Sequence, residues 1–320
     1  MPAFKDNAPA IARFNTAVSF ELDRQCTELL NQFRTRTIYS LGAKYVELAE
    51  NAFYKFACSY PFLMHALLAI TALHNRYMGV RDSRHGRSIP ATYHASQCIT
   101  LFNHALSQPV QPEARDPLWL TAALVGIIAF SSIESLSPEE SWPLKPSEPG
   151  DLDWLNMCKG KMAVWKLTDP LRPNSAFRST SDEYAQLFAS IPSVGIDNVP
   201  SSLSRICGLD SSSTAENSPY FTAVHVLAQL QNLPHDRVTM ARSLAFGFHM
   251  QKSFKARLQE KDPVALLLLA LWYQKAGPTV WWIDSRANIE GQSICLYLRR
   301  YHKSNRQIQD LLPLDTPSVP

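Results

Sequence analysis

Two uninterrupted apolar runs constrain the fold of this 320-residue chain more than any other feature of its sequence. They read LWLTAALVGIIAF at positions 118–130 and VALLLLALWY at positions 264–273. Both are shorter than the roughly 20 residues that a helix needs to cross a bilayer. We therefore predict that each run forms a helix in the core of the protein and that the chain has no membrane span.

Apolar residues at helical spacing occur through most of the remaining sequence. After Phe20 they recur every three or four positions, with charged residues on the opposite face. Pro61 suits the first turn of a deeply buried helix, and Asp262-Pro263 is an N-cap and first-turn pair for the run at 264–273. Helical spacing also predicts, among other helices, a helical block over Arg242–Gln259. No segment alternates apolar and polar residues for more than a few positions, so we predict an all-α fold, a multi-helix orthogonal bundle with an internal hydrophobic cavity.

The predicted helices form one domain over residues 20–306. An N-terminal arm at 1–19 precedes this domain, and a C-terminal tail at 307–320 follows it. Two segments, 131–150 and 169–218, are rich in Ser and Pro. Proline disrupts the interior of a helix, so we expect both segments to be surface excursions of the domain.

Cysteine spacing and net charge exclude several classes of function. The six cysteines, at positions 26, 58, 98, 158, 207 and 295, are separated by 32 residues or more, which excludes a zinc site of the C-x-x-C type. His94 and Cys98 share a helix face but lack further ligands there. The 31 Lys and Arg against 28 Asp and Glu give a net charge of +3, too small to attract nucleic acid non-specifically. We expect free thiols, no metal site and no cofactor.

The common catalytic and targeting motifs are also absent from the sequence. It contains neither a glycine-rich phosphate loop nor a G-x-S-x-G nucleophile motif. The first twenty residues lack the continuous apolar stretch of a secretory signal. We therefore expect a nuclear or cytoplasmic protein that is not secreted.

Three segments resemble one protein family. Tyr60–His74 reads YPFLMHALLAITALH, which is similar to the Pro-Phe-Leu-x-His-Ala-Leu-Leu-Ala-x-x-Ala-Leu-His signature of the regulatory domain of fungal binuclear zinc-cluster transcription factors, in the subgroup typified by the sterol uptake control proteins. Phe20–Thr37 is similar to the entry helix of that domain, and Asp262–Trp282 to its closing helix and Trp-Trp pair. Together the three segments span most of residues 20–290.

The resemblance implies a helical regulatory domain that holds a hydrophobic effector, which is a sterol for the sterol uptake regulators. Family members that act on DNA carry six closely spaced cysteines, whereas the cysteines of this chain are far apart. We therefore expect no direct DNA binding. The expected partners are a sterol-like, polyketide or terpenoid molecule and, in a homodimer or heteromer, a second regulator with a zinc cluster. Lipid or secondary-metabolite genes are the expected targets.

An enzyme of secondary metabolism is the alternative. A helical scaffold of this type could fold a polyketide or terpenoid in an aromatic cavity and act as a cofactor-free isomerase or cyclase. Such chemistry relies on shape and on few hydrogen bonds, so missing catalytic motifs do not exclude it. The sequence assigns no catalytic residue.

Aromatic residues near the C-terminal apolar run could form the wall of a ligand site. Packing in the core is the alternative for each of these rings, and a structural role is the alternative for the histidines of the 60–74 segment. We predict that the hydrophobic ligand contacts Met64, His65, Phe130, Trp272, Trp281 and Trp282.

Overall fold

The computed structural model describes residues 11–12, 20–79, 89–133, 135 and 137–313, and these confirm the all-α class. Within this part of the chain, β structure is limited to one antiparallel pair of two-residue strands, Ile11–Ala12 and Phe20–Glu21. The first eight α-helices are α1 (Arg24–Thr35), α2 (Ala43–Leu48), α3 (Tyr54–Ser59), α4 (Pro61–Tyr77), α5 (Ile89–Leu106), α6 (Arg115–Ser131), α7 (Trp154–Thr168) and α8 (Ser181–Leu187). The others are α9 (Ser201–Ile206), α10 (Phe221–Gln231), α11 (Met240–His249), α12 (Lys252–Gln259), α13 (Pro263–Ala276), α14 (Trp281–Arg286), α15 (Gln292–Tyr301) and α16 (Arg306–Leu311).

Shorter helical turns join several of these helices. Two turns are π-helical: Ala49–Phe53 links α2 to α3, and Ala287–Gly291 links α14 to α15. The 3-10 turns are Thr37–Leu41, Pro112–Ala114, Pro138–Glu140, Ala176–Thr180, His235–Arg237 and Gly277–Thr279.

The chain divides into two compact units. The first contains residues up to 129 together with 160–180, and the second contains 130–159 together with 181 onward. The single domain over 20–306, its terminal segments, the orthogonal packing and the internal cavity stay predictions. Both expected surface excursions contribute buried side chains, since Trp142 is 3% exposed and Phe177 is 1% exposed.

Helix α4 forms the centre of the first unit. Tyr60 is in an extended conformation and Pro61 occupies the first turn, where the missing N–H of proline costs no helical hydrogen bond. Every residue from Phe62 to Asn75 is buried. Helices α1, α3 and α5 pack against α4, so an apolar surface all around this helix is covered.

Helix α13 is the central buried helix of the second unit, as α4 is in the first. The carboxylate oxygen Oδ1 of Asp262 accepts hydrogen bonds from the backbone nitrogens of Val264 and Ala265, at 3.1 and 2.9 Å. The predicted N-cap is therefore confirmed. The helix is buried continuously over 265–273, and it contacts α10, α11, α12, α15 and α16.

Helix α6 carries the first of the two apolar runs. With the turn before it, it forms the segment Pro112–Ser131, which is 20 residues long and has a mean hydropathy of 1.2. Length and composition alone would allow this segment to cross a membrane. However, 67% of its apolar window is buried inside the protein, as in the core helix of a soluble protein.

The helix predicted over Arg242–Gln259 is wrong at its centre, because Met250 and Gln251 are extended and separate α11 from α12. In a continuous helix, Phe246 and Phe254 would be about 12 Å apart along the axis. The break brings their ring centroids to 5.9 Å, with the rings edge to face. A favourable contact between two buried aromatic rings thus accompanies the interruption.

Candidate functional site

Five buried aromatic side chains meet around α13 in the second unit. They come from the end of α6, the start of α7, α11 and α13 itself. Their position follows from the sequence pattern, because each lies on an apolar face of its helix. This group, termed the aromatic cluster below, consists of Phe130, Trp154, Phe246, Trp272 and Tyr273.

The rings of the aromatic cluster are arranged around Trp272. Trp154 lies almost parallel to Trp272, with centroids 6.2 Å apart and an interplanar angle of 8°. Phe246 is also nearly parallel to Trp272, at 5.1 Å and 14°. Phe130 points its edge at Trp154, at 4.6 Å and 73°. These are the offset and edge-to-face geometries that aromatic rings favour.

A buried ion pair lies beside the aromatic cluster. Arg286 Nη1 donates a 2.6 Å hydrogen bond to Glu290 Oε2, and the two side chains are only 7% and 4% exposed. Tyr273 Oη donates to Glu290 Oε1 at 2.7 Å, and Arg286 Nε donates to the backbone oxygen of Phe130 at 2.8 Å. The guanidinium carbon also lies 5.1 Å from the Phe130 ring centroid and 5.2 Å from that of Trp154, within the range of cation–π attraction.

Burial changes the acid–base properties of this network. It raises the pKa of the Glu290 carboxyl, although the nearby Arg286 guanidinium opposes the change. Burial also raises the pKa of the Tyr273 hydroxyl well above its ordinary value, and the Glu290 charge adds to the effect. The tyrosine therefore stays protonated and acts as a hydrogen-bond donor to the carboxylate.

One polar atom in the aromatic cluster has no hydrogen-bond partner among the described residues. It is the indole nitrogen Nε1 of Trp154, which is buried in a side chain only 7% exposed. Buried N–H groups are nearly always paired in folded proteins. The unpaired donor therefore marks a place where an acceptor from outside the chain would be favourable.

The six residues predicted from sequence to contact a ligand are divided between the two units. Phe130 and Trp272 come together in the aromatic cluster, with centroids 6.1 Å apart. The other four are buried elsewhere: Met64 and His65 lie in α4 of the first unit, while Trp281 and Trp282 lie in α14 and contact each other at 5.6 Å. Ligand contact by these six residues stays a prediction.

His65 belongs to a relay in the first unit, a term used here for three buried side chains in contact: His65, His94 and Cys26. Its Nδ1 atom lies 2.9 Å from Nδ1 of His94, and His94 Nε2 lies 3.8 Å from the sulfur of Cys26. Burial lowers the pKa of His65 to about 4, with a further contribution from His94. Burial also raises the pKa of the Cys26 thiol to about 12. At neutral pH the relay is therefore uncharged, and this thiol is a poor nucleophile.

The described side chains offer no group of three or more His, Cys, Asp or Glu residues suited to a metal ion. His94 uses its ring nitrogens on His65 and Cys26 rather than on Cys98. Five cysteines whose side chains are described form no disulfide: Cys26, Cys58, Cys98, Cys207 and Cys295.

The buried histidines make stability depend on pH. His65 and His74 both have a pKa of about 4 in the folded protein, mainly because of burial, against 6.5 for an ordinary histidine. At a pH between these two pKa values, the unfolded chain binds more protons than the folded protein does. The free energy of unfolding should therefore decrease as the pH falls from about 6.5 to 4. The slope should be at most about 1.4 kcal/mol per pH unit for each histidine. Urea unfolding at several pH values measures it.

A substitution separates these histidines from other acid-sensitive groups. His74→Asn should reduce the pH dependence of unfolding, because the Asn side chain does not titrate. His104→Asn, at an exposed position of α5, is the matched control and should leave the slope unchanged. An unchanged slope in His74→Asn would contradict the assignment.

The predicted ligand contacts leave out five members of the site: Trp154, Phe246, Tyr273, Arg286 and Glu290. Trp154 is the first residue of α7, and helical spacing places it on the buried face of that helix. This spacing indicates packing and not a ligand site. Arg286 and Glu290 have the i,i+4 spacing of an exposed ion pair. The one signal for Arg286 was its position three residues after the apolar segment Trp281–Ile283, which is buried.

Comparison with known proteins gives one informative similarity. No family model matches the chain. A "Zn(2)-C6 fungal-type transcription factor" from Gibberella zeae is 25% identical over 249 residues, which cover 72% of this chain and 48% of that protein. The matched region thus spans about half the length of this relative. Over this region the chain is therefore similar to a fungal transcription factor of the zinc-cluster class.

Proposed function

We propose that this chain is a transcription-regulator-like domain whose second unit binds a hydrophobic effector at the aromatic cluster. The observation that carries the proposal is the cluster itself, in which five buried aromatic rings contact one another and one of them, Trp154, has an indole nitrogen without a hydrogen-bond partner among the described residues. Ligand sites of proteins combine such apolar walls with a few polar groups that fix orientation. The similarity to a fungal transcription factor supports the regulatory half of the proposal.

The effector in this proposal is a sterol-like, polyketide or terpenoid molecule, and the regulated genes serve lipid or secondary metabolism. The protein acts in the nucleus, where a zinc-cluster regulator joined to it in a heteromer contacts DNA. A homodimer is the other arrangement. The net charge of +3 fits recruitment through a partner better than direct attraction to DNA.

Effector binding predicts ligand-dependent thermal stability. A sterol, terpenoid and polyketide library should contain compounds that raise the unfolding temperature, because a ligand at 100 times its Kd stabilises the folded state by about 2.7 kcal/mol. Phe130→Leu should weaken the binding of these compounds about fivefold or more, since it removes a ring of the cluster. Differential scanning fluorimetry and calorimetric titration measure both effects.

The matched control for this experiment is Phe102→Leu. Phe102 is a buried ring in α5 of the first unit, so this variant loses a similar volume without changing the aromatic cluster. It should bind the same compounds with unchanged affinity. If no compound stabilises the wild-type protein, or if both variants weaken binding equally, a ligand site at the cluster is contradicted.

A cofactor-free isomerase or cyclase is the second candidate function. The observation that favours it is the buried Glu290, which has a raised pKa and accepts a hydrogen bond from Tyr273. A carboxyl group in this state suits general acid–base chemistry. Deletion of the gene separates the two functions: loss of target transcripts supports regulation, whereas unchanged transcripts with an accumulating polyketide or terpenoid intermediate support catalysis.

A further inference from the structure

Helix α5 lies in the first unit and has two unlike faces. Its buried residues Ala91, His94, Cys98 and Phe102 recur every three or four positions. Helix α4 packs along it, and Phe102 contacts Phe62 of α4 with ring centroids 6.0 Å apart. The opposite face of α5 is exposed. This face, termed the α5 stripe below, consists of Ile89, Tyr93, Ser96, Ile99 and Asn103.

The α5 stripe runs along the helix as one continuous surface, because residues three and four positions apart are neighbours on a helix. Three of its five members are large apolar side chains: Ile89 is 81% exposed, Tyr93 54% and Ile99 45%. The C-terminal end of α4 adds Tyr77 and Met78, so that five of the ten large apolar side chains exposed among the described residues lie on these two helices. Exposed apolar residues that are clustered mark a contact surface, whereas single ones do not.

Charge is absent from α5. No Asp, Glu, Lys or Arg occurs among its 18 residues, although 18% of the whole chain is charged. By contrast, α1 also packs against α4 and exposes Arg24, Glu28 and Arg34. A helix face in water normally carries charges, whereas the centre of a protein interface is depleted of them and enriched in Tyr and Met. The α5 stripe therefore has the composition of an interface.

Tyr93 is suited to anchor such an interface. Its ring lies edge to face against two buried histidines, His65 at 6.1 Å and 75° and His94 at 5.1 Å and 69°. These contacts orient the ring although the residue is exposed. An oriented aromatic side chain loses little conformational entropy when a partner covers it, and tyrosine is enriched among the residues that contribute most to binding.

The lack of charge also indicates which partner covers the α5 stripe. Complementary charges are the usual means of selecting an unlike partner, and this stripe offers none. A second copy of the chain presents the same stripe, and a two-fold contact brings the same residues of both copies together. Charged residues would repel their equivalents in such a contact, but the residues of α5 do not. The stripe is therefore complementary to itself.

We propose that the α5 stripe joins two copies of this chain, with Tyr93 as the anchor of the contact. The inference does not depend on effector binding at the aromatic cluster. It favours a homodimer over a heteromer at this surface, and it places the contact on the first unit.

Sedimentation equilibrium of the full chain over the micromolar range tests the proposal. The wild-type protein should reach twice the mass of one chain as its concentration rises. Ile99→Glu should raise the dissociation constant at least about tenfold, because each copy then brings a carboxylate into the contact without a cation. The matched control is Leu167→Glu, at a position of α7 in the first unit that is also 45% exposed. It should dimerise like the wild-type protein.

Tyrosine nitration gives a second measurement, which needs no variant. Excess tetranitromethane nitrates accessible tyrosines, and mass spectrometry of the peptides locates the product. Nitration of Tyr93 should slow about fivefold at concentrations where about four-fifths of the chains are dimeric, since only the monomer then exposes its ring. Tyr301, which is exposed on α15, should react at the same rate throughout.

The outcomes separate this surface from the others. A wild-type chain that stays monomeric contradicts the proposal and leaves the α5 stripe to an unlike partner or to solvent. A dimer in which Tyr93 reacts as fast as in the monomer, or which both glutamate variants weaken equally, uses another surface, and the proposal is then wrong. Circular dichroism shows whether Ile99→Glu folds; if it does not, nitration of the wild-type protein decides. None of these results bears on effector binding, which Phe130→Leu tests.

Discussion

Replacing Arg286 by methionine should lower the free energy of unfolding by about 3–5 kcal/mol, because breaking a buried ion pair from one side leaves a buried charge without its partner. In this protein the remaining carboxylate is Glu290, which burial already disfavours in its charged form. The variant also loses the 2.8 Å hydrogen bond to the backbone oxygen of Phe130. Urea unfolding followed by circular dichroism measures the change.

A double variant and a surface control define the cause of this loss. Adding Glu290→Gln to Arg286→Met should recover part of the stability, because the neutral amide still accepts from the Tyr273 hydroxyl. Arg257→Met breaks an ion pair with Glu260 whose side chains are 47% and 61% exposed, and it should cost at most about 1 kcal/mol. A larger loss in the double variant than in Arg286→Met would contradict the explanation.

Asp116→Ala should have a comparable effect in the first unit, about 3–5 kcal/mol. The Asp116 carboxylate pairs with Arg172 at 2.7 Å and accepts from the Ser175 hydroxyl and the backbone nitrogen of Ala176, both at 2.9 Å. The side chains of Asp116 and Arg172 are only 9% and 11% exposed. Removing the carboxylate therefore leaves several buried donors unpaired, which equilibrium unfolding in urea should detect.

Asp116→Asn gives an intermediate case for this prediction. Its amide oxygen keeps an acceptor for Ser175 or Ala176 but leaves the Arg172 charge without a partner, so the loss should be smaller than in the alanine variant. Asp153→Ala, at an exposed position before α7, should change stability by no more than about 0.5 kcal/mol. Equal stabilities of Asp116→Ala and Asp153→Ala would show that the buried network does not act as described.

The sequence predicts the parts of the fold that local patterns determine. Pro61 and the Asp262-Pro263 pair mark the starts of α4 and α13, because proline and an N-cap act within one helical turn. The interruption between Phe246 and Phe254 has no such local cause, since neither Met250 nor Gln251 breaks helices by itself. It accompanies a contact between rings that only the folded chain brings together.

The candidate site follows from sequence only in part. Trp272 and Phe130 are predictable as aromatic members of long apolar helices, and the structure joins them. Arg286 and Glu290 cannot be predicted as site residues, because an i,i+4 pair of opposite charges is typical of a solvated helix face. In the structure, however, both side chains are buried. The missing partner of Trp154 is also invisible in sequence, since it depends on every neighbour of the indole ring.

The π-helical turn Ala287–Gly291 has a consequence for sequence alignment. A π-turn holds one residue more than an α-helical turn, and here it separates Arg286 from the buried Leu298 of α15. Deleting the exposed Asn288 should therefore convert this turn into an ordinary α-helical turn and leave Leu298 facing the interior. Relatives that share the burial pattern of both helices but lack the extra residue should therefore align only with a one-residue gap at this turn.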